Sequence, residues 1–202
     1  MKACAARSAG FARETTVKRL LDLLLGIGAL LVLSVPMLCV ALLVRLTSRG
    51  PALYWSNRVG KGNRIFQMPK FRTMLIDTPA VATHLLADPD QFLTPIGGFL
   101  RRSSLDELPQ LFSIIRGDMS IVGPRPALYN QDDLIAYRTA RGIRELTPGL
   151  TGWAQVNGRD TLPIPEKVEY DRYYLEHRSL MLDLRIVGKT AKKVIFQEGV
   201  SH

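Results

Sequence analysis

The longest hydrophobic feature of the chain is an uncharged run at residues 23–44, LLLGIGALLVLSVPMLCVALLV. As a helix it would measure about 33 Å, enough to cross the hydrocarbon core of a bilayer. It exceeds the apolar stretch of a cleaved signal peptide and no small-residue cleavage site follows it, so the run is expected to be retained. Lys18 and Arg19 precede it, while Arg45, Arg49, Arg58, Lys61 and Arg64 follow it, which by the positive-inside tendency puts both flanks on the cytoplasmic side. Pro36 stands near the middle, where it removes one backbone hydrogen bond and clashes with the preceding turn. Two courses fit this pattern: a re-entrant helix bent back at Pro36, and a spanning helix with a proline kink.

Beyond Gly50-Pro51 the period changes. Residues 52–74 alternate short apolar pieces with glycine and basic residues, the pattern of a β-hairpin of two short strands. Residues 77–92 fit a helix or a loop. Leu100, Leu105, Leu108, Leu111, Phe112 and Ile115 carry helical spacing through 96–115, interrupted near Ser103 and Ser104, which predicts two helices or one that breaks there. Gly123-Pro124-Arg125-Pro126 is expected as a stiff extended loop, because proline fixes its own φ and biases the residue before it toward extended geometry. Residues 130–144 read as helix, 147–160 as loop, and 166–177 and 180–196 as closing helices. The last of these mixes Leu182, Leu184, Ile186, Val187, Val194, Ile195 and Phe196 with Arg185, Lys189, Lys192 and Lys193. Such a basic amphipathic helix fits either the headgroup layer of a membrane or the surface of a soluble core. The expected class is α+β and mostly helical, with a membrane helix, a small β-hairpin and amphipathic helices.

A chain of 202 residues suits one core-bearing domain with an appendage. Charge refines the picture, because the net +9 is an N-terminal property: residues 1–76 hold twelve Lys and Arg against only Glu14 and Asp22. A basic segment can face nucleic acid, anionic lipid or a phosphorylated ligand, and the adjoining apolar run favours lipid. Cys4 and Cys39, in the tail and inside the apolar run, form neither a disulfide framework nor a metal site.

Candidate chemistry centres on the adjacent carboxylates Asp106 and Glu107, for which two readings stand side by side. Ser104-Leu105-Asp106-Glu107 matches a capping box, and acids in a first helical turn are routine. The same position keeps a carboxylate ionised and nucleophilic, with a second carboxylate beside it to hold a divalent cation or move a proton. Cations suited to a pyrophosphate are present in Lys70, Arg72, Arg101, Arg102 and Arg125; arginine offers phosphate a planar fork, lysine a point charge. Alternation in Lys70-Phe71-Arg72 is expected to place both cations on one strand face with Phe71 opposite. There is no Walker-type loop, no dinucleotide fingerprint and no His/Cys metal spacing, and His84, His177 and His202 are scattered. A hard cation such as magnesium, held by carboxylate and phosphate oxygens, is the metal this chemistry suggests. A membrane-tethered nucleic-acid or anionic-lipid binding module is a rival that leaves the paired acids unexplained. A metal-dependent lipid phosphatase or pyrophosphatase using the same acids is another.

Several pieces recur in an order that marks one family: Lys18-Arg19 with Asp22, Pro36 in the apolar run, Lys70-Phe71-Arg72-Thr73-Met74, Arg101, Ser104-Leu105-Asp106-Glu107-Leu108, Gly117-Asp118-Met119-Ser120, Val122-Gly123-Pro124-Arg125-Pro126, and PGLTGWAQVNGR at 148–159. In these the chain resembles the small monotopic phosphoglycosyl transferases of bacteria, from about residue 18 to 195. The resemblance implies a re-entrant helix bent at Pro36, a catalytic Asp106-Glu107 dyad with Mg2+, and phosphate contacts near Lys70, Arg101 and Arg125; Arg72 is expected to join these contacts and Asp106 to hold the metal. It places Gln155, Asn157 and Arg159 on the nucleotide side. It further implies a UDP-sugar donor, polyprenyl (undecaprenyl) phosphate as acceptor, a covalent aspartyl phospho-sugar and release of UMP. Membrane lipids, and no nucleic acid, would be the other partners, at the cytoplasmic face of the bacterial inner membrane. Residues 1–50 would form the basic tail and membrane helix, and 51–202 the catalytic domain, together the minimal catalytic unit of the family. The family often has serine directly before the bend proline; here Val35 holds that place and the serine is Ser34.

Overall fold

The computed structural model describes residues 2–78, 88–158 and 162–196, so Arg159 and most of the 77–92 segment lie outside the described residues. Helix α1 (Lys2–Thr47) carries the apolar run, and its stretch Thr16–Thr47 is long and apolar enough to cross a membrane. The helix runs on through Pro36, so its backbone does not by itself separate a re-entrant course from a kinked spanning one. Ser34 Oγ donates to the Leu31 carbonyl at 2.8 Å, giving a donor to the turn ahead of the proline.

The two faces of α1 differ. Asp22, Met37, Val40 and Val44 are buried, and Leu30 and Leu33 pack into the same clusters, all at the three-to-four spacing of one helix face. That stripe continues on both sides of Pro36. Opposite it Leu31, Val32 and Val35 are 70, 77 and 68% exposed, an apolar surface larger than water-facing proteins ordinarily leave uncovered. Charged residues fasten the start of the run: Lys18 Nζ lies 2.5 Å from Asp183, Arg19 donates to the carbonyls of Ile114 and Ile115 at 2.6 and 2.7 Å, and Asp22 accepts from the Ile121 amide at 3.1 Å.

Strands β1 (Leu53–Val59) and β2 (Ile65–Phe71) form the expected antiparallel hairpin, paired from Leu53↔Phe71 to Val59↔Ile65 around a 3₁₀ turn at Lys61–Asn63. The 96–115 segment divides where its spacing falters, into α2 (Gly97–Arg102), a 3₁₀ turn at Leu105–Glu107 and α3 (Gln110–Arg116). The 147–160 segment departs from the loop expected there. It holds β4 (Gly149–Thr151), parallel to β3 (Ser120–Val122), and the short helix α5 (Trp153–Asn157). Three- and five-residue elements are too short to display a period, and this pairing depends on backbones meeting where Cβ atoms are absent. A Cβ on Gly149 would lie 2.1 Å from the Gly123 nitrogen, and one on Gly152 2.1 Å from the Gly123 oxygen.

Helices α4 (Asp132–Ala140), α6 (Ile164–His177) and α7 (Leu180–Phe196) close the domain around Val122, Leu134, Ile143, Val168, Tyr174 and Ile186. The other core clusters among the described residues draw in α1: Val40 and Val44 with Phe71 and Leu100, and Leu30 and Leu33 against Met68, Leu111, Ile114 and Met119. On α7, Ile186 is fully buried while Met181 and Leu184 face outward.

Candidate active site

Asp106 and Glu107 stand on the 3₁₀ turn between α2 and α3, and not in the first turn of an α-helix. Ser104 opens that turn in the left-handed region (φ 57, ψ 17), a conformation costing about 1 kcal/mol or more for a residue with a Cβ. Its side chain makes no capping hydrogen bond. The capping-box reading is thereby corrected: with Ser104 turned left-handed its hydroxyl does not meet the amides, and Glu107 reaches instead to cations from elsewhere in the chain. Lys70, on β2, donates to Glu107 Oε1 at 2.9 Å and lies 3.8 Å from Asp106 Oδ2. Arg125 Nη2 donates to the same Glu107 oxygen at 3.1 Å. Arg101 donates to Thr73 Oγ1 at 3.0 Å and is near enough to bear electrostatically on Asp106.

These surroundings treat the two acids oppositely. Burial pushes the Asp106 carboxyl up and the neighbouring Glu107 charge adds to this, so that the opposing pull of Lys70, Arg125 and Arg101 leaves it above its ordinary value. Burial also pushes Glu107 up, but the charges of Lys70 and Arg125, with a hydrogen bond from each, outweigh it and hold that carboxyl well below the usual range. Glu107 is thus a clamped anion. Asp106, 8% exposed, makes no hydrogen bond with the described residues, its ion-pair partner being Lys70 at 3.8 Å.

Arg125 approaches from a loop whose carbonyls are engaged from Pro124 to Ala127. Pro124 accepts from the Gly149 amide at 2.9 Å, Arg125 from Arg138 Nη1 at 2.8 Å, Pro126 from Arg58 Nη1 at 3.2 Å and Ala127 from the Val59 amide at 2.9 Å. Arg138 also holds buried Asp171 through Nε at 3.0 Å and Nη2 at 2.6 Å. Sequence reasoning missed Arg58, Arg138 and Asp171, although two of them left a signal: Asp171 falls between Val168 and Tyr174 on the buried stripe of α6, and Arg138 follows Leu134 on that of α4.

Other expected site residues hydrogen-bond to groups other than the pair. The strand ends at Phe71, and Arg72 does not join Lys70 at the acids; its guanidinium donates to the carbonyls of Pro51 and Ser48 and to Ser48 Oγ, securing the exit of α1. Gln155 Nε2 donates to the Leu150 carbonyl at 3.0 Å, and its buried Oε1 has no hydrogen-bond partner among the described residues. Asn157 donates to the Trp153 carbonyl at 2.8 Å, and Lys189 Nζ sits 3.5 Å from its Oδ1 and 4.7 Å from the Trp153 ring centre. Pro36 belongs to α1 alone.

No group of three or more His, Cys, Asp or Glu among the described residues forms a metal site by itself. Asp106 has oxygen to offer, whereas Glu107 already serves two cations. Magnesium binds through one or two carboxylates and substrate phosphates while keeping several waters, so it fits this donor set when a phosphorylated ligand completes the shell.

The sequence of the chain has counterparts among known proteins. The model of the family described as bacterial sugar transferase matches residues 13–197. The chain belongs to the bacterial sugar transferase family. It is 40% identical over 187 residues to the uncharacterized sugar transferase EpsL of Bacillus subtilis, covering 92% of this chain and 91% of that one. It is 42% identical over 191 residues to the UDP-glucose:undecaprenyl-phosphate glucose-1-phosphate transferase of Xanthomonas campestris, and 39% identical over 186 residues to the UDP-N-acetylgalactosamine-undecaprenyl-phosphate N-acetylgalactosaminephosphotransferase of Aeromonas hydrophila. The matches cover 90% and 89% of this chain, yet only 39% and 44% of those two longer relatives. The bacterial sugar transferase unit therefore matches one relative nearly end to end and less than half of each of the other two.

Proposed function

We propose that this bacterial sugar transferase moves a sugar-1-phosphate from a UDP-sugar to polyprenyl phosphate at the cytoplasmic face of the inner membrane and releases UMP. The observation that carries the proposal is the division of one carboxylate pair into a cation-clamped Glu107 and an unclamped Asp106. An Asp106 oxygen attacks the phosphorus nearest the sugar; the bond from that phosphorus to the bridging oxygen breaks, and UMP leaves with the oxygen and its electron pair. An oxygen of polyprenyl phosphate then attacks the phospho-sugar on Asp106, the aspartyl bond breaks and the carboxylate returns. Lys70, Arg101 and Arg125 face the pyrophosphate charge, and Glu107 keeps two of these cations in place or assists the acceptor. Magnesium bound with the donor at Asp106 would add charge neutralisation at the phosphates. Gln155, Asn157 and Arg159 are assigned to the nucleotide side. The activities by which two relatives are named, both transfers from a UDP-sugar to undecaprenyl phosphate, support the substrate class and leave the sugar open.

A polyprenyl chain brings its phosphate no farther from the bilayer than the interface, so the domain must sit there. The stripe of α1 from Asp22 to Val44, which packs on the domain on both sides of Pro36, supports a monotopic, re-entrant course, because a helix leaving its domain to cross a membrane would lose that contact partway. Enzyme given donor and magnesium without acceptor is expected to release UMP to about one equivalent per site, and its mass should rise by a sugar-phosphate on the peptide containing Asp106. Labelled UMP should exchange into the donor, and Asp106→Asn should stay folded while transfer falls by several orders of magnitude. If the acceptor-dependent reaction runs with neither adduct nor exchange, direct attack by the lipid phosphate replaces this mechanism. Inorganic phosphate in place of UMP would indicate a phosphatase.

A further inference from the structure

Pro124 and Pro126 flank Arg125 and have no N–H, so the loop at 123–126 has few amides to be held by, of which that of Gly123 donates to the Thr151 carbonyl at 2.8 Å. Its carbonyls from Pro124 on are further backbone handles, and two of the donors that take them are arginine side chains from distant elements. Arg58 on β1 is steadied by the buried Ser56, whose Oγ accepts from its Nε at 3.0 Å, and gives Nη1 to the Pro126 carbonyl. Arg138 on α4, only 9% exposed, divides its guanidinium between Asp171 on α6 and the Arg125 carbonyl. A planar fork with five donors can serve both directions at once, which a lysine cannot. Burying such an ion pair carries a desolvation cost that apolar residues of equal volume would avoid. Those residues could not also donate to the Arg125 carbonyl, as Arg138 does at 2.8 Å.

We propose that Arg138 and Arg58 are positioning residues for the transfer reaction: their guanidiniums hold the 123–126 backbone so that the Arg125 side chain stays at Glu107, beside Asp106. The inference rests on the reading of Arg125 as a phosphate-contacting residue. A misplacement of about 1 Å in such a group is enough to lower the rate by up to about a hundredfold.

The test is a set of double-mutant cycles on the full chain in detergent or nanodiscs, with undecaprenyl phosphate and whichever of UDP-glucose, UDP-galactose or the UDP-N-acetylhexosamines gives UMP release with the wild type. Arg125→Lys, Arg138→Lys and Arg58→Lys are compared with the doubles R125K/R138K and R125K/R58K, and melting is recorded for each. Arg138→Lys keeps a charge beside Asp171 and loses the second contact. It is expected to remain folded and to lose about tenfold or more in kcat/KM, with R125K/R138K no worse than R125K alone. Losses that multiply in the double, or wild-type kinetics in both R138K and R58K, overturn the inference. Should R138K fail to fold, the R58K cycle on the hairpin decides by the same criterion. Wild-type kinetics in R125K would remove the premise and the inference with it, a result distinct from multiplying losses. A wild type that releases no UMP from any donor in the panel would instead overturn the proposed function.

Discussion

Asp106 and Glu107 are consecutive residues of one 3₁₀ turn, yet burial lifts the Asp106 carboxyl while the charges of Lys70 and Arg125, hydrogen-bonded to Glu107 at 2.9 and 3.1 Å, hold the Glu107 carboxyl down. Only the ionised form of Asp106 can attack phosphorus. Because burial lifts its pKa above the ordinary 3.8, kcat/KM for the donor is expected to fall as pH drops through that raised value and to recover above it. Glu107, held below the usual range, stays ionised across the same interval and contributes no limb of its own. A pH profile of UMP release by the free enzyme checks this, and an acid limb at or below 3.8 would show that burial does not raise the pKa of the attacking group. The two acids and the cations Lys70, Arg101 and Arg125 were legible as residue types. That Glu107 is the clamped member was not, since its partners come from 37 and 18 residues away.

Among the elements, the long ones followed their periods. The expected helix at 180–196 coincides with α7, and the break near Ser103 and Ser104 falls where α2 gives way to the 3₁₀ turn. The β3–β4 pair had no period to follow and depends on backbones in contact. Gly149→Ala, which sets a Cβ 2.1 Å from the Gly123 nitrogen, is expected to destabilise the protein by at least about 2 kcal/mol and to disturb the Arg125 loop. Thermal unfolding with UMP release measures both, and a variant that melts like wild type would show that the crossing can widen at little cost. For α1, cysteines introduced beside Arg13 and Arg49, in a background with Cys4 and Cys39 replaced, should both be labelled only from the cytoplasmic side. Pro36→Leu supplies the missing N–H and favours a straight helix, so the site beside Arg13 should become reachable from outside. Outside labelling of that site without the substitution would establish a spanning helix.

In the whole molecule α1 is a structural member of the catalytic domain. Val40 and Val44 share a core with Phe71 and Leu100, Arg19 binds the last carbonyls of α3, and Asp22 accepts from the amide of Ile121 on β3, one residue before the stretch that leads to Arg125. Residues 51–202 produced alone are therefore expected to lack a cooperative melting transition and UMP release, and co-production with a 1–50 peptide should restore part of both. A fully active, cooperatively melting 51–202 fragment would reduce α1 to a tether.

The sequence by itself determined the apolar helix with basic flanks, the β-hairpin, the closing helices and the set of acids and arginines from which a phosphoryl-transfer site could be built. Each of these depends on local composition or on a period of two or near four, which a single segment carries whatever it packs against. Only the tertiary structure decided that Ser104 turns left-handed instead of capping, that Arg72 secures the exit of α1 instead of facing the acids, and that Arg138 and Asp171 stand behind Arg125. Those outcomes depend on which distant groups come within 3 Å of one another. A charged side chain takes the nearest partner the fold supplies, and the identity of that partner is written in no single stretch of the chain.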